Sequence, residues 1–80
     1  MRIDKYLKNS RLIKRRTIAK EACEKGRIYI NSKLAKPGSD VKEGDIILIR
    51  FGNSEIKAKV LLLSEHNTKE AAAAMYEIVQ

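Results

Sequence analysis

The stretch that decides the fold reads SRLIKRRTIAKEACEKG and covers residues 10–26. Its first part, Arg11 to Arg16, places four cations around two apolar side chains. The apolar residues of its second part share one helical face: Ile18, Ala19, Ala22 and Cys23. This spacing predicts an amphipathic helix of about nine residues. We expect Thr17 to be its N-cap and Gly26 to follow its C-terminus.

Charge is distributed unevenly around this stretch. Residues 1–36 contain 12 Lys and Arg against three acids, a formal charge of +9, whereas residues 37–80 contain five basic and seven acidic residues, a formal charge of −2. One strongly cationic part predicts a surface for a polyanion, and nucleic acid is the natural one. The basic residues also precede a predicted helix N-terminus, whose free N–H groups favour phosphate.

Outward from this stretch, the pattern predicts a small α+β domain. The expected elements are a first helix over 3–8, a hairpin of strands 27–30 and 33–35 turning at Asn31-Ser32, strands over 46–51 and 55–63 joined at Gly52-Asn53, a loop over 64–68, and a helix over 69–75. The segment 76–79 fits either an extension of that helix or a last strand. The expected fold class is two short helices plus a hairpin, a further antiparallel β portion and a C-terminal helix.

Size and composition restrict the class of protein. Eighty residues fit one small domain over 1–80, with a basic half at 1–36 and a near-neutral, β-rich half at 37–80. Cys23 is the one cysteine, which excludes an intramolecular disulfide. No apolar run is long enough for a secretory signal or a membrane span, so we expect a cytoplasmic protein that does not contact membranes.

The expected target is structured RNA, bound through its shape and backbone. Few aromatics lie in the basic half, which argues against a stacking platform for single strands, although Tyr29 is a candidate contact. The exposed positions of the second helix are mixed in sign, because Glu21 and Glu24 accompany Lys20 and Lys25. Such a face is a poor recognition helix for DNA.

Catalytic chemistry has little support in the sequence. His66 has no partner at metal-ligand spacing, and we expect it on the surface. Cys23 lies on the apolar helix face and is expected to be a core residue. No recognisable catalytic pair or phosphate-binding glycine loop occurs, so the prediction is a protein that is not an enzyme and needs no cofactor or metal.

Three segments carry a family resemblance: RIDKYL at 2–7, SRLIKRRTIAK at 10–20 and GRIYIN at 26–31. Together they resemble the S-four RNA-binding domain, which is named after a ribosomal protein. A fourth segment, VKEGDI at 41–46, is similar to that family's turn into its central strand. The resemblance implies an αL motif, a helix pair plus hairpin that presents a cationic surface to structured RNA.

Within this family, the chain is most similar to stand-alone bacterial factors of ribosome-associated quality control. The resemblance implies binding to large ribosomal subunits obstructed by peptidyl-tRNA, and support of the C-terminal alanine tailing that the factor RqcH directs. The implied partners are large-subunit rRNA, peptidyl-tRNA and RqcH, and the protein is expected to be a monomer off the ribosome. Two alternatives stay open: a heat-shock type that binds and recycles stalled large subunits, and a targeting module for an rRNA-modifying enzyme.

The resemblance also implies site residues. Carried over by position, the first RNA-contact candidates are Arg2, Arg11, Lys14, Arg15 and Arg16, and the second are Lys5, Lys20, Arg27 and Lys33. Asp4 matches the family pattern and is implied to orient a neighbouring arginine. Ser32 stands where the family commonly has Gly after Asn31, which leaves the contact at the hairpin tip open.

Overall fold

Three helices and five strands form the part of the chain that the computed structural model describes, residues 1–65 and 68–79. The helices are α1 Ile3–Asn9, α2 Arg16–Glu24 and α3 Lys69–Ala73. The strands are β1 Ile28–Ile30, β2 Lys33–Leu34, β3 Ile46–Phe51, β4 Ser54–Val60 and β5 Tyr76–Val79. The α1–α2 pair precedes the β1–β2 hairpin, as the αL motif requires, and the expected α+β fold is confirmed.

All five strands belong to one antiparallel sheet in the order β2–β1–β3–β4–β5. The central strand β3 pairs Ile47 with Ile30 on β1 and with Ala58 on β4. Directly paired residues point to the same face of a sheet, so these three side chains share one face. The alternating residues Leu48 and Lys57 pair on the opposite face.

The hydrophobic core joins the sheet to the first two helices. Its main members are Ile3, Tyr6 and Leu7 of α1, Ala19 and Cys23 of α2, and Ile28, Ile47 and Ile49 of the sheet. The Tyr6 hydroxyl is buried and donates to the carbonyl oxygen of Met75 at 2.7 Å. Burial raises the pKa of Tyr6, so this hydroxyl keeps its proton and remains a donor. The contact connects the first helix to the turn before the last strand.

The structure decides between the two alternatives for residues 76–79 in favour of a last strand, and it shortens the helix expected over 69–75. Helix α3 stops at Ala73, and Tyr76–Val79 is a strand that pairs with β4, for example Ala58 with Ile78. Strand β4 in turn ends at Val60 rather than continuing to residue 63. The reason is local, because the N–H groups of Leu61 and Leu62 both lie against the Met75 carbonyl oxygen, at 2.9 and 3.3 Å. This convergence breaks the regular ladder.

The Asn31-Ser32 turn closes the β1–β2 hairpin with two residues at positive φ, 50° for Asn31 and 70° for Ser32. Positive φ at both central positions is the pattern of a type I′ turn. The Asn31 amide nitrogen donates to Asp45 Oδ1 at 3.0 Å, and its oxygen accepts from the N–H of Ile46 at 2.9 Å. Asn31 therefore ties the hairpin tip to the turn that precedes β3.

Replacing Ser32 with Gly is expected to stabilise the protein by roughly 0.5–1 kcal/mol, because a residue with a Cβ is strained at positive φ. The melting temperature should rise by about 4 °C in a domain of this size. Thermal unfolding followed by circular dichroism measures the change. Ser54→Gly, in the regular strand β4, is the control and should lower the melting temperature. A Ser32→Gly variant that melts at or below the wild-type temperature would contradict the strain assigned to this turn.

None of the described helices is both long and apolar enough to cross a membrane. The expected surface position of His66 falls outside the described residues.

Candidate nucleic-acid interface

A buried carboxylate holds two half-exposed arginines where the helices begin. The Asp4 side chain is 3% exposed, whereas those of Arg2 and Arg16 are 54% and 49% exposed. Arg2 donates to Asp4 through Nε and Nη2 at 3.2 and 3.1 Å, and Arg16 Nη2 lies 3.5 Å from Asp4 Oδ1. The backbone N–H of Lys5 donates to the same oxygen at 2.7 Å. The carboxylate thereby fixes two guanidinium groups at the surface, each with further N–H donors to offer.

The first turns of α1 and α2 bring these residues together. Arg2 is the extended N-cap of α1, and Asp4 lies in its first turn, where an acid suits the positive end of the helix dipole. Arg16 is the first residue of α2. Because α1 packs against α2, Arg16 reaches Asp4 from 12 positions further along the chain. The cluster is thus a product of helix packing.

The loop over residues 37–40 also borders this cluster. The N–H of Ile3 donates to the carbonyl of Ser39 at 2.8 Å, and that of Asp4 lies 3.3 Å from the carbonyl of Pro37. A Cβ built on Gly38 would lie 3.9 Å from the guanidinium carbon of Arg2. The near-neutral half therefore contributes backbone to the edge of the cationic site. No local sequence signal indicates this, since the contact joins the start of the chain to residues that follow the basic half.

The basic segment between the helices is anchored by its apolar residues. Ile13 is buried, and its N–H donates to the carbonyl oxygen of Leu7 at 3.1 Å. Arg11 takes a φ of 63°, just after the C-cap of α1, which ends that helix and turns the chain. The cations Arg11, Lys14 and Arg15 are exposed. The segment thus presents its charges outward from a fixed backbone.

Helix α2 begins two residues earlier than an N-cap at Thr17 predicts. Arg15 is the N-cap, in extended conformation, because its carbonyl already accepts from the N–H of Ala19 at 3.0 Å. Thr17 therefore lies inside the first turn, and the N-cap prediction is wrong. No described side chain caps this end of the helix. Its first N–H groups consequently remain available to an anion beside Arg15 and Arg16.

The remaining predicted residues surround this cluster at different places. Lys5 forms an ion pair with Glu65, which lies in the segment after β4. Lys20 is exposed on α2, and Lys33 is exposed on the edge strand β2. Arg27 precedes β1, where its carbonyl accepts from the N–H of Arg50 at 2.9 Å. Hydrogen bonds join Arg2, Asp4 and Arg16 directly into one group, the Asp4 cluster, and the other predicted residues lie outside it.

Glu65 is a neighbour that the sequence does not reveal, because 60 positions separate it from Lys5. An RNA phosphate that binds Lys5 would compete with this carboxylate. Glu65→Gln is therefore expected to raise RNA affinity about two- to threefold, an increase limited by the solvent exposure of the pair. Fluorescence anisotropy with labelled RNA at fixed salt measures the change. Glu77→Gln on β5 makes the same change in net charge and is the control. Equal gains in both variants would assign the effect to overall charge and contradict the specific competition.

Comparison with protein-family models identifies the family to which this site belongs. The model of the S4 domain matches residues 1–47, which include the whole Asp4 cluster, the basic segment and the hairpin. The chain belongs to the S4 domain family. The S-four resemblance inferred from the sequence is confirmed.

Relatives of this S4 domain protein match it over its full length. A protein named "RQC P-site tRNA stabilizing factor" from Listeria monocytogenes serovar 1/2a is 58% identical over 80 residues, which cover 100% of this chain and 87% of the relative. One of the same name from Streptococcus pneumoniae is 56% identical over 79 residues, covering 99% and 90%. The trimeric structure of Vibrio cholerae Heat Shock Protein 15 superposes with a TM-score of 0.89 at 29% identity, and the match covers 99% of this chain and 81% of that one.

Reactive groups of this S4 domain are few among the residues described. Burial raises the pKa of the Cys23 thiol to about 11, with Asp4 and Glu24 adding to the shift, so the thiol is protonated at neutral pH. Cys23 is 3% exposed and packs in the core, as its position on the apolar helix face predicts. Within residues 1–65 and 68–79, no group of three or more His, Cys, Asp or Glu side chains is placed to hold a metal ion.

Proposed function

We propose that the protein is an RNA-binding factor of ribosome-associated quality control that stabilises tRNA in the P site of obstructed large ribosomal subunits. The observation that carries the proposal is the Asp4 cluster, in which a buried carboxylate presents Arg2 and Arg16 beside an uncapped, basic helix start. A relative that is 58% identical bears a name with the same role, which supports the choice of ligand.

In this proposal, residues 1–36 are the RNA-binding half of a single domain over 1–80, and residues 37–80 hold it in shape. The contacts assigned to phosphate are Arg2, Arg11, Lys14, Arg15 and Arg16, with Lys5, Lys20, Arg27 and Lys33 around them. Asp4 touches no phosphate, because a carboxylate would repel it; its part is to orient Arg2 and Arg16. Structured RNA suits such a surface, because each fixed guanidinium group can hold a phosphate through two parallel hydrogen bonds.

The protein acts without catalysis in this account. It holds rRNA and peptidyl-tRNA in place while RqcH directs successive rounds of alanine addition to the stalled chain. The protein is located in the cytoplasm, and it is a monomer when it is not bound to the ribosome. The role and the partners follow from the resemblance to the quality-control type, and the cationic surface is the physical means by which this chain would perform the role.

Affinity capture under translational stalling tests the proposal. The tagged protein is purified from cells in which ribosomes stall, and the bound RNA and proteins are identified. We expect large-subunit rRNA, tRNA and RqcH, with alanine tails on the captured nascent chains. Asp4→Asn captured in parallel should recover much less of each. Capture of an rRNA-modifying enzyme in place of RqcH would contradict the proposal and favour a targeting module.

A second candidate is the heat-shock type, which binds and recycles stalled large subunits. The likeness to Vibrio cholerae Heat Shock Protein 15, with a TM-score of 0.89, favours it. The fate of the nascent chain separates the two candidates. Alanine tails that disappear when the protein is deleted support the quality-control role. Unchanged tails, together with peptidyl-tRNA accumulating on large subunits, support recycling.

A further inference from the structure

An apolar groove flanked by cations lies on the side of α2 that carries Ile18. It has a volume of about 200 Å³, and its apolar lining includes Leu12, Ile18 of α2 and Phe51 at the end of β3. Ile18 and Phe51 are 48% and 43% exposed, although both are large and hydrophobic. The Asp4 cluster does not use either residue. A cavity of this size is below the range of about 300–1,000 Å³ that holds drug-sized ligands, so it suits one small ring system.

The charged lining of the groove is predominantly cationic. Lys25, Arg27 and Arg50 contribute three positive charges against one acid, Glu21. Arg27 and Arg50 are held side by side, because the N–H of Arg50 donates to the carbonyl oxygen of Arg27 at 2.9 Å. Arg50 Nε donates to Glu55 at 3.1 Å, and its guanidinium carbon lies 5.7 Å from the centre of the Tyr29 ring, so two neighbours hold this group beside the groove. An apolar surface beside cations is complementary to a planar ring that carries an anionic group.

The groove is also continuous with the basic segment. Leu12 and Ile13, which line it, belong to the run Arg11 to Arg16, and Ile18 lies two positions beyond Arg16. An RNA strand bound through that run therefore has its neighbouring nucleotides beside the groove. RNA-binding proteins commonly take bases that have left the helical stack and place them against aromatic side chains or arginine planes.

We infer that this groove binds one unpaired nucleotide of the RNA, with the base against Phe51 and Ile18 and the phosphate on Arg27 and Lys25. The inference rests on the proposed function, since it takes the ligand to be RNA. It adds a base-binding site to a surface that otherwise contacts only the backbone. A side chain from an acidic protein would have similar chemistry, but the small volume and the continuity with the basic segment favour a nucleotide.

Three RNA stem-loops test the inference, each measured by fluorescence anisotropy. The first carries a single bulged adenosine, the second an abasic site at the bulge, and the third is fully paired. Wild-type protein should bind the bulged RNA about tenfold more tightly than the abasic one, which is the size of stacking one base on an aromatic side chain. The double variant Ile18→Ala, Phe51→Ala should lose that preference and bind the other two RNAs as the wild type does.

The control is Leu62→Ala, Ile78→Ala, which truncates two comparably exposed apolar side chains away from the groove. It should keep the tenfold preference, and circular dichroism should show both double variants folded. Equal wild-type affinity for bulged and abasic RNA would overturn the inference while leaving the proposed function intact. Absence of binding to all three RNAs would instead contradict the proposed function. If the groove variant keeps the preference but loses binding to purified RqcH, the groove belongs to a protein partner and the inference fails.

Discussion

Replacing Asp4 with Asn is expected to weaken RNA binding about tenfold, although the change removes a negative charge from a cationic surface. The physical reason is orientation. Asp4 holds Arg2 and Arg16 before the ligand arrives, and without that carboxylate both side chains must be ordered on binding, at a cost of about 0.5–1.5 kcal/mol each. A titration of labelled stem-loop RNA, with the melting temperature measured in parallel, separates lost affinity from lost folding.

The sign of this effect distinguishes orientation from overall charge. Glu24→Gln removes an exposed acid from α2 and is the matched control. Its affinity for RNA should stay level or rise slightly, as a simple increase in net charge predicts. If Asp4→Asn also binds more tightly than the wild type, the carboxylate does not position the arginines for RNA, and the proposed organisation of the site is wrong.

Changing Arg15 and Arg16 together to Ala is expected to lower affinity for large ribosomal subunits about 100-fold or more. Each arginine can make charge-assisted hydrogen bonds worth about 1.5–3 kcal/mol to a phosphate. Salt dependence gives a second readout. If about five phosphates are neutralised, the plot of log affinity against log salt has a slope of roughly −4, and the double variant should reduce this to roughly −2.5.

The matched control for that variant is Lys57→Ala with Lys59→Ala on β4. These two exposed lysines point away from the core, since they pair with Leu48 and Ile46 rather than with Ile47. The control loses the same charge from another surface and should keep most of the affinity and the slope. A double Arg15, Arg16 variant that co-sediments as well as the wild type would contradict the assignment of this segment to RNA.

Periodicity and turn chemistry predict most of the fold. The apolar spacing of α1 and α2, the turn residues Asn31-Ser32 and the β3–β4 hairpin are all local signals, and the structure follows them. The sequence leaves Tyr76–Val79 open between helix and strand because an alanine-rich run precedes it. Only the pairing of this segment with β4 selects a strand. The prediction of Thr17 as the N-cap was wrong because the carbonyl oxygen of Arg15 already accepts the first helical hydrogen bond, from the N–H of Ala19. A good capping residue does not fix the helix start when the helix begins before it.

The sequence predicts the positive charge of the candidate site, but it does not predict most of the contacts between its side chains. The excess of cations in residues 1–36 indicates a binding surface from composition alone. Residue spacing does not identify Arg16 as a partner of Asp4, because their contact depends on how α1 and α2 pack. The Glu65 ion pair and the loop over 37–40 join distant parts of the chain, and no residue pattern near Lys5 or Arg2 indicates them.

Sedimentation with purified ribosomal particles tests the central proposal most directly. Large subunits carrying peptidyl-tRNA, empty large subunits and small subunits are each mixed with the protein at physiological salt and centrifuged through sucrose. The proposed function predicts strong co-sedimentation with the obstructed large subunits, weaker binding to empty ones and little to small ones. Equal recovery with all three particles would contradict it, because the cationic surface would then be a general polyanion binder.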